Sequence, residues 1–83
     1  MEPEIRKEYY EIFGSINIEQ EVLNGILHGV QKWYYRNGQL GVKYHMKHGQ
    51  KHGFEISWLD DGRTEDFSQW KKGQLHGVYI LFD

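Results

Sequence analysis

Apolar and polar positions alternate along much of this chain. Val30, Lys32 and Tyr34 alternate with Gly29, Gln31, Trp33 and Tyr35. Further on, Phe54, Ile56 and Trp58 alternate with Glu55, Ser57 and Leu59, and Val78, Ile80 and Phe82 with Tyr79 and Leu81. A period of two belongs to a strand with one better-buried face. No window carries a convincing helical i, i+3, i+4, i+7 stripe. Residues 2–12 come nearest, with Ile5, Tyr9 and Ile12, but their register with later segments predicts a strand there too.

That register comes from an internal repetition. The string Gly-x-x-His-Gly occurs as Gly25–His28–Gly29, Gly49–His52–Gly53 and Gly73–His76–Gly77, 24 residues apart each time. Tyr34, Trp58 and Phe82 coincide at the same interval, as do Asn37-Gly38 and Asp61-Gly62. A worn first copy places Gly14 on Gly38, Tyr10 on Tyr34 and Tyr9 on Trp33. The units are 1–24, 25–48, 49–72 and a half unit 73–83, in one domain spanning 1–83. Asn-Gly and Asp-Gly accept the positive φ that a type I′ hairpin turn requires. Gly-x-x-His-Gly then turns the chain back in a loop of three to five residues. Each unit is therefore two antiparallel strands. Seven strands are expected at 5–12, 15–23, 29–35, 39–47, 53–59, 63–71 and 77–82. The expected fold is all-β, a single-layer antiparallel β-meander. A parallel solenoid coil could share the period, but the hairpin dipeptides favour the meander.

Composition narrows the function. Eighty-three residues and 10.0 kDa fit one domain with a thin core. There is no cysteine, so no disulfide and no thiolate metal site is available. Ten glycines against one proline, with 16% aromatics, suit short strands and tight turns. A net charge of −2 argues against a nucleic-acid partner. No apolar run approaches the roughly 20 residues of a membrane helix. The start, Met1-Glu2-Pro3-Glu4, lacks the layout of a signal peptide, and a cytoplasmic location is expected.

The histidines invite a metal, but equivalent positions two strands apart lie about 9.5 Å from one another. That is too far for His28, His52 and His76 to share an ion with bonds of about 2.1 Å. They are expected to anchor turns, with no metal and no cofactor. Ser15, Ser57 and Ser68 sit in no nucleophile elbow. Asp60 and Asp61 belong to a turn rather than to a cleft that would tune their protons. No catalytic residue is expected. Tyr10, Tyr34, Trp58 and Phe82 should form a ladder, with Trp33, Tyr35, Tyr9, Tyr79 and Leu81 on the opposite face. An exposed aromatic strip of that size marks an interface. Charge is segregated: residues 1–24 carry −4, residues 25–59 carry +4 and residues 60–83 carry −2. The basic middle, Lys32, Arg36, Lys43, Lys47 and Lys51, could meet an anionic surface. The outer strands differ as well. Arg6, Lys7, Glu8 and Glu11 guard the first, whereas Val78-Tyr79-Ile80-Leu81-Phe82 is apolar on both sides and open to pairing.

The segments at 24–40 and 48–64, with G-x-x-H-G, an aromatic and then N-G or D-G, resemble the MORN repeat. They are most similar to the variant of YwqK-like antitoxin components and of repeat proteins in large DNA viruses. The likeness covers residues 25–83. It implies a repeat scaffold without a shared active site, whose structural positions here are Gly25, His28, Gly29, Tyr34, Gly38, Gly49, His52, Gly53, Trp58, Gly62, Gly73, His76, Gly77 and Phe82. Thr64 in the place of Leu40 and Ser57 in that of Trp33 depart from the pattern. The expected function is a non-enzymatic protein–protein interaction or assembly module. It would bind a protein partner or a second copy through Trp33, Tyr35, Tyr79 and Leu81 and through the edge Val78, Ile80 and Phe82. An antitoxin masking a cognate toxin, an anionic-lipid binder and a virion component are the rivals.

Overall fold

The computed structural model describes residues 4–9 and 16–82. They form seven strands: β1 Glu4–Tyr9, β2 Ile16–Leu23, β3 Ile26–Tyr34, β4 Leu40–Lys47, β5 Gln50–Trp58, β6 Thr64–Lys71 and β7 Gln74–Leu81. The strands lie in chain order in one antiparallel sheet. This is the expected single-layer meander. Its extents are 40 × 36 × 14 Å and its radius of gyration is 13.6 Å. A compact domain of this length would give about 11.8 Å, so the molecule is flatter than a packed globule.

The two kinds of turn are exchanged relative to expectation. Asn24-Gly25, His48-Gly49 and Lys72-Gly73 each have two successive positive φ values, 53° and then 77–78°. They are the two-residue I′-like hairpins, closed by the pairs Leu23↔Ile26, Lys47↔Gln50 and Lys71↔Gln74. The Asn-Gly and Asp-Gly dipeptides instead close three-residue loops. Tyr35 N–H donates to Gln39 O (2.8 Å) and Gly38 N–H to Tyr35 O (2.9 Å), and Leu59, Gly62 and Arg63 repeat both bonds. Only the glycine of each loop has positive φ, the pattern of a type I turn followed by a bulge. Asn37 Oδ1 and Asp61 Oδ1 accept the N–H of Gln39 and Arg63. Asn and Asp serve here as turn-side acceptors, not as left-handed residues.

Because the hairpin is so short, the following strand begins three residues earlier than expected, at Ile26, Gln50 and Gln74. His28, His52 and His76 therefore lie inside strands rather than anchoring turns. Each falls in a β-bulge. Gln20↔Gln31 and Val22↔Leu27 leave Glu21 facing the three residues His28-Gly29-Val30. The same shift sets His45 against His52-Gly53-Phe54 and Gln69 against His76-Gly77-Val78. The bulge glycines take φ of 92°, 95° and 86°, a conformation that costs an L side chain about 1–2 kcal/mol.

The first unit is out of step by one residue. Glu8 pairs with Ile18 and Tyr9 with Ile16, where Trp33 pairs with Val42 and Tyr34 with Leu40. Tyr9 thus corresponds to Tyr34, not to Trp33, and the connection after it is one residue longer. The expected alignments of Tyr10 and Gly14 fall on residues outside those described, as do residues 10–12 of the first expected strand.

Cross-strand partners share a face. One face, called front, carries the row Arg6–Gln20–Gln31–Tyr44–Glu55–Ser68–Tyr79, and the back face carries Lys7–Glu19–Lys32–Lys43–Ile56–Phe67–Ile80. With no second layer among the described residues, the side chains that are fully covered are few: Val22, Gln31 and Ser68. Gln31 is buried because the bulge frees backbone carbonyls that it can satisfy. Its Nε2 donates to Glu21 O (2.9 Å) and to Gly29 O (3.5 Å), bonds that offset the cost of burying a polar group.

Candidate interaction surfaces

The front face is tied to itself. The Trp33 and Tyr35 rings meet edge to face at 4.8 Å and lie over Gly41. Tyr35 Oη donates to Trp58 O (2.8 Å). Partial burial first, and then the Glu65 and Asp60 carboxylates, push the Tyr35 phenol above the usual tyrosine value. Next to them, Lys51 Nζ stands 4.5 Å from the Trp70 ring centre and 5.2 Å from that of Tyr44, and 2.7 Å from Glu55 Oε1. Trp70 Nε1 donates to Ser68 Oγ at 2.8 Å. Tyr79 and Leu81 are on the same face, 56% and 65% exposed, but Leu81 lies four strands from Trp33. That is about 19 Å at a strand spacing of ~4.8 Å, with Ser57 and Asp66 in the row between. The structure does not join Trp33 and Tyr35 to Tyr79 and Leu81 in one strip.

The continuous strip is on the back face. Its central row changes character half-way, from Lys7, Glu19, Lys32 and Lys43 to Ile56, Phe67 and Ile80. Glu19 neutralises the charged half, 3.6 Å from Lys7 Nζ and 3.7 Å from Lys32 Nζ. In the apolar half Phe54 stacks on Phe67 at 5.1 Å, and Trp58 extends the patch toward the loops. Phe54, Val78, Ile80 and Phe82 remain 43–51% exposed. Phe54, Ile56 and Trp58 follow from the alternation at 53–59, and of the residues expected to bind a partner, Val78, Ile80 and Phe82 fall on this face, whereas Trp33, Tyr35, Tyr79 and Leu81 fall on the front.

The edges differ as expected. β1 carries Glu4, Arg6, Lys7 and Glu8, whereas residues 74–82 of and just beyond β7 carry no Asp, Glu, Lys or Arg. The five basic residues of the middle do not gather. Lys32 and Lys43 are neighbours on the back, Lys51 is committed to Glu55 on the front, Lys47 flanks a hairpin, and Arg36 lies in a loop at the other end of the sheet.

Four histidines do come together at the hairpin end. The His28 and His48 rings are 6.1 Å apart. An open groove of about 480 Å³ is lined by His28, His45 and His52 with Lys47, Met46 and Phe54. A second, of about 280 Å³, adds His48 and Lys72. No group of three His, Asp or Glu side chains among the described residues is placed to hold a metal ion. The sequence reading weighed these histidines only as turn anchors or as metal ligands. The bulge that aims them into one groove leaves no mark in the alternation. At the loop end, the Arg63 N–H, followed by the Arg63 side chain, holds the exposed Asp61 carboxyl below its usual range.

No family model, curated protein or solved structure matches the chain.

Proposed function

We propose that the chain is a non-enzymatic assembly module that pairs with a second copy of itself along the β7 edge. The observation that carries this is the coincidence of two features on β7. The back-face residues Val78 and Ile80 of β7, and Phe82 just beyond it, are exposed, and the strand carries no Asp, Glu, Lys or Arg. Patches of this kind mark interfaces. Two-fold antiparallel pairing sets a strand against its own copy, and the residue on the axis faces itself, so a charge there opposes its like. β7 brings none together, and its pairing would join two apolar halves into one face.

The likeness of the 24-residue motif to MORN repeats supports a scaffold role, and among the described residues no cleft with paired acids or a nucleophile argues for chemistry. The scattering of the five basic residues weakens the lipid reading. Light scattering on the purified chain tests the proposal: a dimer is expected, and Ile80→Lys should return the mass to 10.0 kDa. A wild-type chain that stays monomeric, with Ile80→Lys changing neither mass nor solubility, contradicts it.

A further inference from the structure

The three bulges hold the same backbone and differ in what covers the glycine. Over Gly29 lies the Glu21 carboxylate, whose Oε2 accepts the Val30 N–H at 2.8 Å. Over Gly77 lies Gln69, with Oε1 2.7 Å from where a Cβ would stand. In each case a side-chain oxygen from the preceding strand sits above the glycine. In the middle unit the corresponding residue is His45, and only its Cβ comes near Gly53, at 4.0 Å. The oxygen's place opens instead into the 480 Å³ groove. The register around Phe54 repeats that around Val30, so the Phe54 N–H stands where the Val30 N–H meets its carboxylate.

We propose that this groove binds a carboxylate, the acidic side chain of a partner protein, with one oxygen over Gly53 as the Glu21 carboxylate lies over Gly29. The lining agrees in charge. His28, His45, His52 and Lys47 are the ionisable groups of the groove, and none of its lining residues is an acid. The nearest acid of the same row, Glu21, comes from β2 on the far side of β3 and is already bonded to Val30. A backbone N–H together with an ammonium such as that of Lys47 gives a carboxylate charge-assisted hydrogen bonds. Met46 and Phe54 flank the site and suit the methylenes of a glutamate. This site is separate from the β7 edge, and neither reading requires the other.

The test is a 1H–15N titration of the full chain with a tetraglutamate peptide and, in parallel, with acetate. The Gly53 and Phe54 amides are expected to shift with both, acetate acting only at higher concentration. His45→Glu should place the chain's own carboxylate over Gly53, as in the first unit, and abolish both responses. His45→Gln, which copies Gln69, is the second variant should the first fail to fold, and it should also abolish them. Silence of the Gly53 and Phe54 amides in the wild type, or responses unchanged in either variant, overturns the site. A response to acetate alone makes the ligand a free carboxylate and overturns the acidic-side-chain assignment.

Discussion

Gly41 and Glu65 occupy the same place 24 residues apart, and what stands beside each explains both. A Cβ on Gly41 would lie 3.1 Å from Tyr35 Cε2 and inside the Trp33 ring's contact distance. At Glu65 the neighbour in Trp33's place is Ser57, whose Oγ is 3.4 Å from Glu65 Oε1. One unit has the large residue on the strand and none on the bulge, and the next has the reverse. Ser57, which breaks the sequence pattern, is thus half of a packing exchange. The pair was not legible in advance, because the bulge that turns position 41 toward position 33 cannot be read from alternation. Gly41→Glu alone should destabilise by about 1–3 kcal/mol through overpacking. Gly41→Glu with Trp33→Ser should cost less than the sum of the single changes by about 0.5–3 kcal/mol. Urea midpoints of the four proteins measure it, and additive costs would refute the exchange.

At the scale of the element, strand number, order and pairing were legible from period two and the 24-residue interval. Turn assignment was not. Asn-Gly carries its usual I′ preference at 24–25, and the same dipeptide at 37–38 closes a three-residue loop, because Asn37 spends its side chain on the Gln39 N–H. Strand limits moved for the same reason: glycines that mark turns also mark bulges, and Gly29, Gly53 and Gly77 are the latter. The hairpins are not equally good. Asn24 suits φ 53°, but His48 and Lys72 hold that same φ as residues that disfavour it. Lys72→Asn should therefore raise stability, by about 0.5–2 kcal/mol, seen as a higher thermal midpoint. A lower midpoint would show that the Lys72 side chain contributes more than its backbone costs.

At the scale of the molecule, flatness is the governing property. A sheet 14 Å thick, with no second layer among the described residues, leaves both faces in water, and the chain answers differently on each. The front closes over itself through Gln31, the Trp33–Tyr35 pair and the Lys51–Glu55–Trp70 cluster. The back divides into a charged half that water can cover and an apolar half that it covers poorly. The sequence placed aromatic residues on both faces. It could not show which face stays open, since Trp33 and Tyr35 read as exposed until their contacts with Gly41 and Trp58 O are known.

Amide hydrogen exchange along β7 tests the central claim most directly. The Phe82 N–H points inward to Glu65 O, and by alternation the Tyr79 and Leu81 N–H groups point outward from the edge. In the wild-type chain at assembling concentration these two amides should exchange slowly, and in Ile80→Lys they should exchange at the rate of free peptide. Fast exchange of both in the wild type would show that the edge has no partner of its own kind.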